Sequence, residues 1–248
     1  MKTGRFAGKV ALITGGSRGI GAEIARRLAR EGARVTVGYR GNRVAAEAVQ
    51  AEIAALGAEA RIAAADVADP VAAQALVESA HAAHGRLDIL VHAAGIAPYL
   101  PLERCDAAHY RTVFDTNVLS TLTLTRAAAP LLTAPGGRVV HLSSRLVWAP
   151  IPGSAVYAAS KAAVTALTLA LAKELGPRGI TINAVAPGVI ETDMTEAIVA
   201  ERGEAIRAMT PLGRIGKPED VAGVVAFLAS EDAGWITGRT IRADGGMA

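Results

Sequence analysis

A single cysteine, Cys105, in 248 residues rules out an intrachain disulfide and a zinc site built on several thiolates, and it fits a reducing compartment. Aromatic residues make up only 4% of the chain while 51% is hydrophobic, so the interior has to be built from Ala, Val, Ile and Leu, which suits helices packed closely on a sheet. Charge of one sign is also scarce. The 26 basic and 23 acidic residues leave +3 at neutral pH, and the cations are spread along the chain without forming a run. That distribution argues against a nucleic-acid partner and for a small anionic ligand. No uninterrupted apolar stretch reaches the roughly 20 residues that cross a bilayer, and the N-terminal MKTGRFAGKV lacks the apolar core of a signal peptide. A soluble cytoplasmic protein, with no membrane attachment and no bound metal, is expected.

Short aliphatic runs alternate with longer amphipathic ones. VALIT (10–14), RVTVGY (34–39), ARIAAA (60–65), DILVHA (88–93), RVVHLS (138–143) and ITINAVA (180–186) read as strands. Helical patterns lie between them at 20–31, 43–56, 70–84, 107–133 and 154–176. Glycines in EGA, LGA, HGR, PGGR and GPRG mark the turns from helix to strand. Beyond Gly188 the pattern loosens to a loop or short helices over 189–216, a helix over 218–230 and a last strand near 239–243. The expectation is one α/β domain over 1–248, a doubly wound Rossmann-type fold with a mostly parallel seven-stranded sheet and helices on both faces.

The first strand runs into TGGSRGIG (14–21), whose Gly15, Gly19 and Gly21 frame Ser17, Arg18 and Ile20 before a helix begins. Strand, glycine turn and helix start in that order let backbone N–H groups approach a pyrophosphate at the positive end of the helix dipole. At the end of the second strand, where an acid would hold a ribose 2′-hydroxyl, the sequence has Arg40, and no Asp or Glu follows until Glu47. Arg18 reaches the same region. Two guanidiniums suit a 2′-phosphate, so NADP(H) is the predicted cofactor.

YAASKAAV (157–164) places a phenol and an amine four residues apart on one helical face. A phenol acting as acid or base near neutral pH needs a cation beside it, and Lys161 is one turn from Tyr157. Ser144 ends the fifth strand, at the edge where ligands bind in such sheets. Asn117 interrupts an apolar helix, where asparagine is a poor helix former unless it has a partner.

Over nearly its whole length the chain resembles the short-chain dehydrogenase/reductase family. The matching segments are T-G-x-x-x-G-x-G at 14–21, Asp66-Val67, Asn117, Ser144, Y-A-A-S-K at 157–161, N-A-V-A-P-G at 183–188 and RIGKPEDVAGVVAFLAS with ITGRTIRADGG. The resemblance implies that Tyr157 protonates a carbonyl or deprotonates an alcohol, and that Lys161 lowers its pKa and binds the nicotinamide ribose. It further implies that Ser144 holds the substrate oxygen and that Asn117 positions a water in a proton relay. Adenine contacts are implied at Asp66 and Val67, and nicotinamide contacts around Pro187, Gly188, Ile190 and Thr192. One departure stands out. The usual N-N-A-G after the fourth strand is H-A-A-G here, which puts His92, Ala93 and Gly95 along the cofactor's ribose region, with His92 in a structural role.

Within the family the C-terminal motifs look most like 3-oxoacyl-[acyl-carrier-protein] reductases, which implies reduction of a β-ketoacyl thioester. APYLPLERCDAAHY (97–110) and RLVWAPIPGSAV (145–156) instead bring Tyr99 and Trp148 towards the substrate, a wall equally suited to aryl or alicyclic ketones. Acyl carrier proteins are acidic, and Arg178 matches one expected docking cation, whereas Pro135 stands where another is common. A non-catalytic NADP(H) sensor would need none of Ser144, Tyr157, Lys161 and Asn117. Extra apolar faces on the helices at 107–133 and 154–176 point to a subunit contact, and the resemblance implies a homotetramer.

Overall fold

The computed structural model describes residues 4–247. Seven strands form a single sheet: β1 (Val10–Thr14), β2 (Arg34–Tyr39), β3 (Ala60–Ala64), β4 (Ile89–His92), β5 (Arg138–Leu142), β6 (Thr181–Pro187) and β7 (Thr240–Ala243). Their order is β3-β2-β1-β4-β5-β6-β7, and every pairing is parallel. The chain winds outward from β1 in one direction and resumes at β4 in the other. The carboxyl ends of β1 and β4 therefore flank the crevice where such sheets bind ligands.

Alternation along the strands sorts the core into two layers. In β1, Ala11 and Ile13 face one side with α1 (Gly19–Arg30) and α8 (Pro218–Ala229), where Ile24, Leu28, Val221 and Val225 are buried. Val10 and Leu12 face the other, against Leu76 of α3 (Pro70–Ala82) and Leu124 of α5 (Ser120–Ala128). Strands apolar on both faces are what a sheet covered by helices on both sides requires. The outer strand β3 is covered by α2 (Arg43–Ala55), whose first turn is capped by the Asn42 side chain.

The structure departs from the expected elements in two places. The helix expected over 107–133 is α4 (Ala107–Phe114), a π-helical turn (Asp115–Leu119) and α5, which stops at Ala128. Pro130 cannot continue the helix, which accounts for the early stop. The 189–216 region holds a full helix, α7 (Glu196–Met209), instead of only loop or short helices. Helix α6 (Ala155–Leu175) matches its expected span. Together with the following turn, Ala155–Arg178 has the length to cross a membrane and an 18-residue window of mean hydropathy 1.5, although Lys161, Lys173, Glu174 and Arg178 interrupt it and leave no uninterrupted apolar stretch, as expected. That apolarity belongs to a helix packed on β5 and β6 on one side, with Leu169 half-exposed on the other.

Candidate active site

The glycine turn lies between the ends of β1 and β4. Gly15 has φ +64° and a Cβ there would sit 2.8 Å from the backbone of Ala94, so only glycine closes the turn against the neighbouring strand. A Cβ on Gly21 would fall 2.2 Å from the Gly15 carbonyl oxygen. At the start of α1 the N-cap residue, Arg18, has no capping side-chain hydrogen bond, and no acid lies in the first turn. The turn therefore presents backbone donors that no side chain of this helix end satisfies, as a bound pyrophosphate would require. Gly15, Ser17, Arg18, Gly19, Ile20, Arg40, Asp66, Val67, Ala93, Gly95 and Thr192 all line one groove. Arg18 and Arg40 flank the end of β2, and Arg18 lies 3.7 Å from Asp193 in an exposed pair, worth little by itself. The residues present fit a 2′-phosphorylated dinucleotide.

Next to the groove is a cavity of about 440 Å³ lined by Ser144, Tyr157, Lys161, Pro187, Gly188, Ile190 and Tyr99. Tyr99 meets Tyr157 edge-on, with ring centroids 5.8 Å apart. Trp148, expected in the substrate wall, does not line the cavity; it is half-exposed and packs beneath the Arg242 guanidinium at 5.8 Å. The cavity's far wall comes from Met194 and from Ile198, Ile206 and Met209 of α7. The sequence reading missed these residues because the segment has weak periodicity and no signal that it folds back over the sheet edge.

Burial governs the protonation of the pair. The Tyr157 phenol is pushed up to about 12 by desolvation, with the Ser144 side chain acting in the opposite sense. Lys161 is almost fully buried and is brought down to about 8 by desolvation. Its ammonium lies 5.9 Å from the Tyr157 ring centroid and donates to the Leu142 carbonyl at 2.8 Å. Desolvation thus outweighs the lowering by Ser144 and holds Tyr157 as the neutral, proton-donating form, and the expected lowering by Lys161 has no part in the shift.

Asn117 sits in the π-helical turn, 1% exposed. Its Oδ1 accepts from the Ile96 N–H at 2.9 Å, while Nδ2 donates to the Ile96 carbonyl and to Ser160 Oγ, both at 3.0 Å. The amide so joins the loop after β4 to the helix that carries Tyr157. The extra residue of a π turn re-aims one side chain inside a continuous helical segment, a device frequent at functional sites.

His92 lines neither the groove nor the cavity, which corrects its expected place along the cofactor. It is buried behind them. Ser120 donates its hydroxyl to the Thr116 carbonyl, so it accepts from His92 Nε2–H at 2.8 Å; Nδ1 in turn accepts from the Thr14 hydroxyl at 2.7 Å. Thr14 Oγ1 also receives the Ala94 N–H at 3.3 Å. The imidazole thereby ties β1, β4 and α5 together, the structural role expected of it. His141, its register neighbour on β5, is held between Thr125 and Thr168. Desolvation lowers both rings, His92 well below its ordinary value and His141 to about 3.

Comparisons with known proteins agree with this geometry. A family model described as enoyl-(acyl carrier protein) reductase matches residues 15–248. An uncharacterized oxidoreductase of Methylorubrum extorquens is 46% identical over 246 residues, covering 98% of this chain and 99% of that one. A 3-oxoacyl-[acyl-carrier-protein] reductase of Staphylococcus aureus is 44% identical over 240 residues, 96% of this chain and 98% of the relative. Among solved structures, a short chain dehydrogenase from Burkholderia cenocepacia in complex with NADP superposes with a TM-score of 0.93 at 43% identity, covering 98% of this chain and 99% of that one. With its all-parallel doubly wound sheet and its Ser144, Tyr157 and Lys161 on one cavity wall, the chain is an oxidoreductase of the short-chain dehydrogenase/reductase family.

Proposed function

We propose that the protein is an NADPH-dependent reductase that converts a ketone to a secondary alcohol, with 3-oxoacyl thioesters as its leading substrate class. The observation that carries this reading is the convergence of Ser144, Tyr157 and Lys161 on a cavity that adjoins the glycine-turn groove. NADPH, when bound, supplies the hydride for the carbonyl carbon. Tyr157, held neutral by its burial, donates its proton to the oxygen as negative charge develops there. The Ser144 hydroxyl hydrogen-bonds that same oxygen. Lys161 replaces the proton Tyr157 gives up and holds the ribose next to it, and Asn117 fixes the helix and loop between which the relay runs. Arg18 and Arg40 hold the 2′-phosphate, Asp66 and Val67 the adenine, and Pro187, Gly188, Ile190 and Thr192 the nicotinamide end.

The thioester assignment draws on the relatives named as 3-oxoacyl reductases. Tyr99 against Tyr157, with the apolar side chains of α7, favours aryl or cyclic ketones as a second class. Association as a homotetramer is supported by the exposed Leu122, Leu169, Phe227 and Trp235, and light scattering at micromolar concentration tests it. The decisive assay is NADPH consumption with acetoacetyl and crotonyl thioesters alongside aryl and cyclic ketones. Tyr157→Phe should abolish ketone-dependent oxidation of NADPH while leaving NADPH affinity within about twofold. Undiminished turnover in that variant would sink the reading.

A further inference from the structure

The cavity beside Tyr157 carries charge of one sign. Arg145, Lys161 and Arg202 line it, and no carboxylate does. Lys161 is engaged by the Leu142 carbonyl, and Arg202 lies on the exposed side of α7. Arg145 differs from both. It follows Ser144 directly in the short 3-10 turn Arg145–Val147, it is partly buried, and among the described residues its side chain has no hydrogen-bond or ion-pair partner. The carboxylate that influences it, Asp244, is already committed: it accepts from Arg242 Nε at 2.7 Å and from the Gly246 N–H at 3.1 Å.

The guanidinium also lies near enough to the Tyr99 phenol for its charge to oppose part of the rise that burial gives that phenol, and the Tyr99 ring abuts Tyr157. Arg145 and Tyr99 thus line the same cavity as Ser144 and Tyr157. A guanidinium partly withdrawn from water with no acid at ion-pair distance carries a desolvation cost that a bound anion would offset, and its planar fork matches a carboxylate.

We propose that Arg145 is a specificity-determining residue that binds a carboxylate on the substrate. The site then selects amphipathic oxo acids, with the ketone at Tyr157, the carboxylate at Arg145 and the apolar body against Met194, Ile198 and Met209. This rests on the ketone-reductase reading but reverses the order of its substrate classes, since an oxo acid should be favoured over the neutral ester or thioester of the same chain.

The test reads binding, so that it stands apart from the turnover assays. The complex with NADP+ is titrated calorimetrically with octanoate and with 1-octanol, using the wild type, Arg145→Met, Arg145→Lys and Arg202→Met. Octanoate should bind the wild type at least about tenfold more tightly than octanol. Arg145→Met should erase that preference with octanol affinity unchanged, Arg145→Lys should retain part of it, and Arg202→Met should keep it. Equal affinities in the wild type overturn the proposal whether or not any variant folds. So does an Arg145→Met that weakens both ligands alike, the mark of a packing role, or loss of the preference in Arg202→Met. Absence of ketone turnover with the octanoate preference intact would defeat the reductase reading and leave the anion site standing.

Discussion

Acid should destabilise this protein through two histidines well before its carboxylates titrate. His92 and His141 are 3% and 0% exposed, each is neutral, and each is held by hydroxyl groups on both ring nitrogens. The folded pKa of His141 is about 3 and that of His92 lies well below 6.5, whereas the unfolded chain restores both to about 6.5. Because the folded values are depressed, the unfolded state takes up protons first. Stability is therefore complete above the unfolded pKa and is lost progressively as pH falls below it, towards the folded values. Between pH 7.5 and 5.0 the linkage amounts to about 2 kcal/mol for His141, and His92 acts in the same direction. The two rings are register neighbours, so charging one makes charging the other harder and no early protonation of the fold relieves the loss. Asp220, at about 2, and Asp88, also lowered, contribute only in more acid solution. Urea unfolding at fixed protein concentration over this range measures the effect, and His141→Gln should remove about 2 kcal/mol of it. A stability change below about 1 kcal/mol between pH 7.5 and 5.0 would refute the reasoning.

Further outcomes follow from the same geometry. Lys161→Met should stabilise the fold by about 2 kcal/mol near pH 7, since a buried cation depressed to about 8 carries about 3 kcal/mol of strain there, less about 1 kcal/mol for its bond to the Leu142 carbonyl. The same variant should lose ketone reduction, and thermal melts set beside NADPH-oxidation rates would show whether the two changes part company. Gly15→Ala meets the Ala94 backbone at 2.8 Å with φ at +64°; fluorescence titration should find NADPH binding weakened at least about tenfold, together with a stability loss of about 1–2 kcal/mol. Asn117→Ala leaves the Ile96 N–H and carbonyl without their side-chain partner and should cost about 2–4 kcal/mol in unfolding experiments; a loss below about 0.5 kcal/mol would mean that water replaces the amide.

Much of the site was legible in short sequence intervals, because its chemistry is local. Tyr157 and Lys161 share a helical face by spacing alone, and the glycine turn needs only its own strand and helix to form. Arg40 marked the cofactor's phosphate by standing where an acid was expected. Other features depend on partners far along the chain. Asn117 signalled itself as a poor helix former, yet the π turn exists because the amide bonds the loop at Ile96 and Ser160 on α6. His92 could not be assigned until Thr14 and Ser120 were known to bracket it from positions 78 and 28 residues away.

Periodicity, and residues within one or two turns of each other, were enough to read the fold class, the glycine turn and the acid–cation pair. How the phenol is protonated and which side chains line the cavity beside it came from the folded arrangement. Both depend on what surrounds a group in three dimensions. Burial raises the phenol of Tyr157, α7 folds over to wall the cavity, Trp148 turns away to Arg242, and Arg145 lines the pocket without an ion-pair partner among the described residues.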